Sequence, residues 1–421
     1  MPSRSRSTKA VPKPTKSTVQ DQIMEMPTWK KIALAVVAVV IAGLCAVAVY
    51  VYGTYSRISV NSPFKKPSPT PTSSPIPDTF NQGQQHVSLL MGYGGGNHEG
   101  GLLTDTMMLV IVDPPTKTIT LLSLPRDLWV ELPVSGDKLS GWKINAAYAI
   151  GSDDKGYRYK PQEFTGPAGG GELAKYAVKQ ATGLDVNNFI TLNFSGFRRS
   201  IDVLGGVDVN VETTFDDYLY PIEGKEEDPC DKTPEELQMY STMSAAITEA
   251  AFPCRYEHLH FDKGIVQMDG ETALKYVRSR HSAQDGSDFG RAARQRNLIL
   301  AVRDKIFRLD FFPKIIPFIN TLSEDLKTDY NLADIQNALN YRDELRDYRI
   351  TSTALSNDNV LRIGRSPDGQ SIVTSQEGVG NWNAVHQWVK DELTRLRNPQ
   401  PAAESATASE SAVSTSPAVA Q

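Results

Sequence analysis

The sequence contains few cysteines and almost no net charge. Only Cys45, Cys230 and Cys254 occur among 421 residues, without a C-x-x-C motif, which excludes a disulfide-built scaffold and zinc-ribbon or thioredoxin-like sites. The formal charge of −5, from 44 Lys and Arg against 49 Asp and Glu, argues against a surface that grips nucleic acid. The glycine motifs of phosphate loops and dinucleotide folds are also missing. We therefore expect a local anion site and no nucleic-acid partner.

One long apolar run stands near the N-terminus. Residues 32–53 are uncharged and would rise about 33 Å as a helix, enough for a hydrocarbon core of about 30 Å. Lys and Arg are more frequent before this run than after it, so the positive-inside rule places residues 1–31 in the cytoplasm and the rest of the chain outside. The length of the preceding segment favours a retained anchor over a cleaved signal. The sequence predicts a single-pass protein of the cell membrane.

Two segments are too polar or too proline-rich to fold by themselves. Residues 54–81 form a Pro/Ser-rich stalk that favours an extended chain. Residues 397–421 are Ala, Ser, Thr, Pro and Glu without periodicity, and we expect a disordered tail. An extracytoplasmic domain is therefore predicted over residues 82–396.

Within this domain, strand-like and helix-like patterns alternate. Short β-branched or apolar runs predict strands over residues 87–91, 107–112, 118–124, 189–194 and 207–211. Helices are predicted over residues 171–183, 291–307 and 382–396, and after Asp269 as an N-cap. The mixture indicates an α/β (α+β layered) fold with a central mixed β-sheet flanked by helices, and we expect the last helix to pack on the same domain.

An acidic insertion at about residues 217–256 contains Cys230 and Cys254, and it lacks a regular pattern. An extracytoplasmic address permits oxidation, so we predict a disulfide that closes this loop. Two free thiols are the alternative.

Arginine is concentrated between residues 278 and 296. Arg278 and Arg280 precede a predicted helix on which Arg291, Arg294 and Gln295 share one face of the first turn, where free N–H groups add positive potential. The planar guanidinium group binds phosphate or carboxylate in fork geometry. The cluster predicts an anion site, with a solvated charged face as the alternative.

Two loops that follow or precede strands carry further candidates. Arg126 and Asp127 follow the strand over residues 118–124, although a turn stabilised by an Arg and Asp pair would look the same. A glycine-rich loop leads to Asp105, a hard oxygen ligand suited to Mg²⁺ or to capping a turn. His98 and Glu99 in that loop are weaker metal candidates or plain polar residues.

Taken in order, several motifs resemble the LytR-CpsA-Psr family of cell-envelope proteins. They read LTDTMMLV, LLSLPRDLWVEL, KINAAYAIG, GELAKYAVKQATGL, FITLNFSGFRRSIDVLGGVDVNV, MDGETALKYVRSRHS and DFGRAARQRNLI, and the resemblance covers roughly residues 86–308. The resemblance implies a membrane-anchored domain that binds a polyprenyl (pyro)phosphate lipid in a hydrophobic pocket. It also implies transfer of a glycopolymer, such as teichoic acid, from that lipid to peptidoglycan.

The same resemblance assigns roles to single residues. Asp105 matches a magnesium-binding aspartate, and Arg126 with Asp127 matches the family's P-R-D motif. The lipid phosphates would be held by residues that match the V-R-S-R, D-F-G-R and R-x-x-R-Q motifs, namely Arg278, Arg280, Asp288, Arg291, Arg294 and Gln295.

The chain departs from the family pattern near the metal. Gly94 stands where many members have a second aspartate, and Leu103 stands where members often have arginine. Either His98 or Glu99 replaces the lost ligand, or Asp105 holds the metal with water and phosphate alone.

The predicted reaction is a Mg²⁺-dependent phosphoryl transfer that needs positioning and charge stabilisation but no protein nucleophile. Neighbouring arginines would lower the pKa of the Asp127 and Asp288 carboxylates and make them poor bases. We therefore favour a role for both in orienting arginines. The alternatives are a hydrolase that splits the polyprenyl diphosphate with water, and a non-catalytic lipid-binding regulator of the envelope.

Overall fold

The computed structural model describes residues 53, 55–60, 84–96, 100–136, 138–284, 286, 288–306, 321–322, 324–331, 334 and 341–398. The chain divides into two units, Met1–Thr54 and Tyr55–Gln421, and the elements described below belong to the second. The predicted cytoplasmic tail, most of the apolar run over 32–53, most of the stalk and all but two residues of the tail over 397–421 lie outside the described residues. Among the helices of the described residues, none has the length and apolarity needed to cross a membrane.

Strands and helices alternate along the compact unit. The strands of the described residues are β1 (His86–Tyr93), β2 (Thr104–Asp113), β3 (Thr118–Leu124), β4 (Trp129–Ser135), β5 (Lys138–Lys143), β6 (Asn188–Asn193), β7 (Val207–Val211), β8 (Phe215–Pro221), β9 (Tyr256–Phe261), β10 (Gly264–Met268), β11 (Leu326–Thr328), β12 (Arg349–Ala354), β13 (Leu361–Arg365) and β14 (Ser371–Ser375). The helices are α1 (Ala146–Ser152), α2 (Gly169–Thr182), α3 (Phe194–Val203), α4 (Pro234–Ser241), α5 (Ala245–Ala251), α6 (Gly270–Arg278), α7 (Asp288–Ile306), α8 (Arg342–Arg346) and α9 (Asn383–Arg397).

Six strands form a central mixed sheet in the order β11-β6-β1-β2-β3-β12. The β1–β2, β2–β3 and β6–β11 pairs are antiparallel, and the β1–β6 and β3–β12 pairs are parallel. The remaining strands pair in twos as β4–β5, β7–β10, β8–β9 and β13–β14. The predicted mixed α/β fold with a central mixed sheet is confirmed.

The two faces of the central sheet have different neighbours. Leu89 and Leu109 pair across β1 and β2, are fully buried, and belong to a large apolar core shared with α1, α2 and α9. A second core joins α3, α6, α7 and the strands β7 to β10. Because strand side chains alternate, the residues between those of the first core face the second set of helices.

Local signals explain where the helices begin and end. Asp269 caps α6 as predicted, because its side chain accepts a hydrogen bond of 2.8 Å from the N–H of Thr272. Gly183 ends α2 with a φ of 75°, the left-handed conformation that glycine adopts without a steric cost. Helix α9 buries Val385, Val389 and Leu393 in the first core, so the expectation that the last helix packs on the same domain is confirmed.

The insertion is more regular than its sequence indicated. Strand β8 extends to Pro221, and the helices α4 and α5 precede β9. A capping box closes the start of α4, in which Thr233 and Glu236 exchange hydrogen bonds with each other's backbone. The predicted disulfide is present between Cys230 and Cys254, with a Cα–Cα distance of 5.7 Å.

Removal of this disulfide is expected to destabilise the insertion. The bridge joins residues 24 positions apart, and the restriction of the unfolded chain contributes about 3 kcal/mol for a loop of this order. Cys230→Ser with Cys254→Ser should therefore unfold at a lower temperature than the wild type, whereas Cys45→Ala should not. Equal melting temperatures for the wild type and the double variant would contradict this expectation.

Candidate active site

Four arginines from three parts of the chain line one cavity. Its volume is about 220 Å³, and its lining includes Arg126, Arg278, Arg280 and Arg291. We call it the arginine cavity. Two aspartates, Asp105 and Asp217, complete the charged lining, which leaves a formal excess of two positive charges (four minus two). Its polar groups are arranged as an anion site requires.

The first side of the arginine cavity is built at the ends of β2 and β3. Arg126 lies in the turn after β3 and forms an ion pair with Asp105, near the start of β2. Backbone hydrogen bonds from other segments hold this turn in place. The Arg126 carbonyl accepts from the N–H of Asn145 at 3.2 Å, and the Asp127 carbonyl accepts from the N–H of Val373 at 2.9 Å. The β3 turn therefore presents Arg126 in a defined position.

The second side is the loop that follows α6. Arg278 is the last residue of α6, and its guanidinium lies 4.2 Å from the ring centre of Phe194 and donates to the Tyr220 hydroxyl at 3.3 Å. Burial is the main cause that raises the pKa of Tyr220, so the phenol stays neutral at physiological pH. Aromatic faces thus hold Arg278 against the cavity without neutralising its charge.

A buried carboxylate on β8 holds this loop in place through hydrogen bonds. Asp217 on β8 is fully buried and accepts hydrogen bonds from the Ser279 hydroxyl at 2.7 Å and from the N–H groups of Arg280 at 3.0 Å and His281 at 3.1 Å. The N–H of Leu219 donates a further bond at 2.9 Å. Burial alone raises the pKa of Asp217, but these hydrogen bonds outweigh it and leave the pKa below the ordinary value. Asp217 is therefore a charged support of the loop that follows α6 and carries Arg280, which we call the arginine loop.

The loop also requires glycine at position 286. A Cβ atom there would lie 2.3 Å from the carbonyl oxygen of Ser282 and 2.8 Å from that of Arg280. The N–H of Gly286 donates to the Ser282 carbonyl at 2.9 Å. This close approach keeps the loop tight as it returns to α7, whose first turn carries Arg291.

Arg294 and Gln295 do not line the arginine cavity, and the phosphate-binding role predicted for them stays a prediction. Arg294 is 2% exposed, and it donates to the carbonyls of Tyr276 at 3.0 Å and Ser279 at 2.5 Å, at the end of α6. Gln295 accepts from the Ser123 hydroxyl at 3.1 Å. Both therefore join α7 to neighbouring elements, and Arg294 supports the arginine loop from inside the core.

Three predicted site residues remain without an outcome. Asp288 is the first residue of α7, and the role assigned to its side chain stays a prediction. His98 and Glu99, the candidate replacements for the missing family carboxylate, lie outside the described residues.

An apolar cavity of about 220 Å³ adjoins the arginine cavity. One side of this cavity is the face of the central sheet that lies toward the second core, and the other side is formed by α3, α6 and α7. The lining consists of Leu90, Met91, Gly92, Thr106, Met108, Ile190, Leu192, Phe194, Phe197, Leu274, Val277, Arg278, Gln295, Leu298 and Ile299. Thr106, Val277 and Arg278 line both cavities, so a charged chamber and an apolar one share a wall.

A wider groove of about 820 Å³ meets the arginine cavity at Asp105 and Arg126. Trp129 and Trp142 line it together with Asp127. Asp127 is held by Lys143 at 2.9 Å and lies 3.7 Å from the Nε atom of Arg126. The groove therefore offers aromatic surface beside the first side of the arginine cavity; we call it the tryptophan groove.

Comparison with known proteins gives a family and several relatives. The model of the LytR_cpsA_psr family matches residues 47–379. Biofilm regulatory protein A of Streptococcus mutans is 28% identical over 365 residues, which cover 84% of this chain and 75% of that protein.

Another relative is the polyisoprenyl-teichoic acid–peptidoglycan teichoic acid transferase TagU of Enterococcus faecalis, 25% identical over 292 residues, which cover 69% of this chain and 73% of the relative. Among solved structures, protein gbs0355 from Streptococcus agalactiae superimposes with a TM-score of 0.49 at 24% identity, covering 75% of this chain and 90% of that one. Because the family model spans most of the sequence, the chain belongs to the LytR_cpsA_psr family.

Proposed function

We propose that this protein transfers a glycopolymer from a polyprenyl diphosphate carrier to peptidoglycan. The observation that carries the proposal is the wall shared by the arginine cavity and the apolar cavity at Thr106, Val277 and Arg278. A lipid diphosphate needs this combination, since its head is a dense anion and its tail is hydrocarbon. The TagU relative is named a polyisoprenyl-teichoic acid–peptidoglycan teichoic acid transferase, and this name supports the same activity.

The two cavities divide the donor between them. The diphosphate lies among Arg126, Arg278, Arg280 and Arg291, whose fork-shaped donors match phosphate oxygens. The first prenyl units lie between the sheet and α3, α6 and α7, where apolar side chains replace water. The sugar end of the donor then points away from the apolar cavity, toward the tryptophan groove.

The reaction exchanges one phosphorus–oxygen bond for another. A peptidoglycan hydroxyl attacks the glycan-bearing phosphorus, and the bond from this phosphorus to the bridging oxygen breaks. Polyprenyl phosphate leaves with the bonding electron pair, and the acceptor proton passes to water. The products are a phosphodiester between the two polymers and the carrier monophosphate. The arginines that line the cavity would stabilise the charge that moves to the leaving group.

The acceptor enters through the tryptophan groove. Sugars stack on aromatic faces, and Trp129 and Trp142 lie beside Asp105 and Arg126. Asp127 is bound to Lys143 and stands beside Arg126, so it orients Arg126 and does not act as the general base. Positioning of the acceptor supplies most of the rate gain in such a site.

We further infer that Asp105 holds Mg²⁺ together with the phosphate oxygens. Its side chain is 31% exposed toward the cavity; one oxygen pairs with Arg126, and within the described part of the chain the other accepts no hydrogen bond. Asp217 is saturated by its donors and is unsuited to a metal. Magnesium commonly binds one or two carboxylates with water and phosphate, which a single aspartate satisfies. When bound, the ion neutralises charge on the diphosphate.

Replacement of Asp105 by asparagine is expected to raise the Mg²⁺ concentration for half-maximal transfer by about tenfold or more. Arg126 keeps its charge, so donor binding should weaken less. Asp185→Asn, which removes the same charge at an 83% exposed surface position, should leave the Mg²⁺ titration unchanged. Transfer by the wild type that does not depend on divalent cations would contradict the metal assignment.

We also propose the single-pass topology predicted above, with the tail over residues 1–31 inside and the domain over 82–396 outside the cell. The disulfide of the insertion supports an oxidising compartment, because such bonds are rare in the cytosol. The lipid carrier and the peptidoglycan acceptor would then meet the domain on the same side of the membrane.

The test incubates a labelled lipid-linked donor with the full-length protein in detergent and follows the label. With a lipid-linked glycan, Mg²⁺ and peptidoglycan, we expect label to become covalently attached to peptidoglycan and polyprenyl phosphate to appear in equal amount. Without peptidoglycan, carrier release should be slow. Carrier release that is equally fast without the acceptor would instead indicate a hydrolase, and donor binding without any release would indicate a non-catalytic binder.

A further inference from the structure

The exposed face of the β8–β9 pair carries a second group of polar side chains, separate from the arginine cavity. Asp216 lies directly opposite His260 in the antiparallel register, and His258 precedes His260 by two residues on the same face of β9. One oxygen of Asp216 lies 2.7 Å from Nε2 of His258 and 2.8 Å from Nδ1 of His260. The three candidate ligand atoms all lie within 4.8 Å of one another.

Both imidazole rings also contact neighbours other than the three candidate ligand atoms. The second ring nitrogen of His260, Nε2, lies 3.3 Å from a carboxylate oxygen of Asp262. The ring of His258 stacks on Tyr218 with a centroid distance of 4.1 Å and an interplanar angle of 5°. A carboxylate on the far nitrogen of a histidine is the usual second partner of a metal-bound imidazole, since it fixes the tautomer and raises basicity.

The strands beneath this face are anchored in the core. Phe215 is fully buried and stacks on Phe261 at 5.2 Å, so the residues that flank Asp216 and His260 tie both strands to the second core. Asp217, the next residue of β8, is fixed by the arginine loop. The three polar side chains thus project from a rigid base, which lowers the entropy cost of organising a site.

We propose that Asp216, His258 and His260 bind a divalent transition-metal ion of the zinc class. Two imidazoles and one carboxylate suit Zn²⁺, Cu²⁺ or Ni²⁺ rather than Mg²⁺, and three protein ligands leave one position for water. Ligands about 2.1 Å from a tetrahedral ion lie about 3.4 Å apart, so each ring needs to move by only about 1 Å. The protons now shared with Asp216 pass to solvent as the ion binds.

An ordinary surface ion pair is the simplest competing explanation. Pairs between exposed histidine and aspartate contribute little, and they do not require two imidazoles on one carboxylate oxygen, each with a further partner. In the metal assignment, Asp216 and both imidazoles are ligands, and Asp262 is the partner of the far nitrogen of His260. A bound ion would also cross-link β8 and β9 next to Asp217, so the protein should gain thermal stability with Zn²⁺.

The test uses the full-length protein in detergent, purified without a polyhistidine tag. Equilibrium dialysis against Zn²⁺ with elemental analysis should give one tightly bound ion per chain, in the wild type and in Asp105→Asn alike. The double variant His258→Ala, His260→Ala should lose this ion, and Asp262→Asn should bind it about tenfold more weakly. His386→Gln, which changes a histidine on α9 bound to the Gln180 carbonyl, serves as the matched control and should bind normally.

Cobalt provides an independent measurement, because tetrahedral Co²⁺ with nitrogen ligands absorbs visible light. The wild type and His386→Gln should show this absorption, and the double variant should not. His258, His260 and Asp262 are exposed, and equal melting temperatures of all variants in chelator would show that they fold. No stoichiometric zinc at micromolar concentration, or zinc binding that is the same in the double variant, would overturn the proposal.

Discussion

Replacement of Arg278 by alanine is expected to slow glycopolymer transfer by about two to three orders of magnitude, the usual effect of removing one preorganised donor to a developing charge. Arg278 is the only arginine that lines both the arginine cavity and the apolar cavity among the described residues. In the proposed mode of binding, its guanidinium lies where the lipid tail joins the leaving phosphate. The rate of polyprenyl phosphate release at saturating donor measures this effect.

Two further variants test how much of the effect is due to the charge of Arg278 and whether loss of any arginine on a nearby helix has the same effect. Arg278→Lys keeps the charge without the planar fork, so transfer should fall to an intermediate level. Arg198→Ala removes an arginine on α3 that pairs with Glu223 and Glu271 outside the cavity, and transfer should be unchanged. A fully active Arg278→Ala protein would count against the position of the leaving phosphate.

Replacement of Asp217 by alanine is expected to lower the free energy of unfolding by about 4 kcal/mol, because four buried or half-buried donors lose a charged acceptor. Transfer should fall as well, since the loop that carries Arg280 loses its support. Asp216→Asn, one residue away on the exposed face of β8, should change stability little in chelator-containing buffer. Chemical denaturation of the three proteins measures the difference.

The stability that Asp217 contributes should change with pH in a defined direction. The folded-state pKa of Asp217 is lowered, so its stabilisation is present above the unfolded carboxyl pKa of about 3.9 and disappears as the pH falls through the lower folded value. The stability difference between wild type and Asp217→Asn should therefore be constant near neutral pH and shrink below about pH 4. A difference that stays constant in acid would show that Asp217 is not held as a charged group.

Regular alternation explains which elements could be predicted from the sequence. The strands β3 and β7 have the predicted bounds, because each is a short apolar or alternating run between turn residues. Strand β12 was missed, since RITSTA is mostly polar and lies at the edge of the sheet. Most of strand β8 falls in the segment predicted as an irregular insertion from about residue 217, because Asp217 interrupts the hydrophobic pattern.

The site was predictable in part for a similar reason. Motif positions indicated that Asp105, Arg126 and Arg278 would meet, and the cavity brings them together. Helical spacing placed Arg291 and Arg294 on one face, but spacing does not reveal what packs there. The carbonyls at the end of α6 take Arg294 into the core. Only the tertiary arrangement shows that one arginine faces the cavity while the other supports its loop.

The central claim is that a polyprenyl phosphate lipid lies with its head in the arginine cavity and its tail in the apolar cavity. Mass spectrometry of the intact full-length protein, followed by analysis of the extracted lipid, tests it most directly. The account predicts one bound lipid per chain that carries a mono- or diphosphate head and a prenyl tail, with much less retained by Arg278→Ala. A protein that retains no such lipid even after incubation with undecaprenyl diphosphate would contradict it.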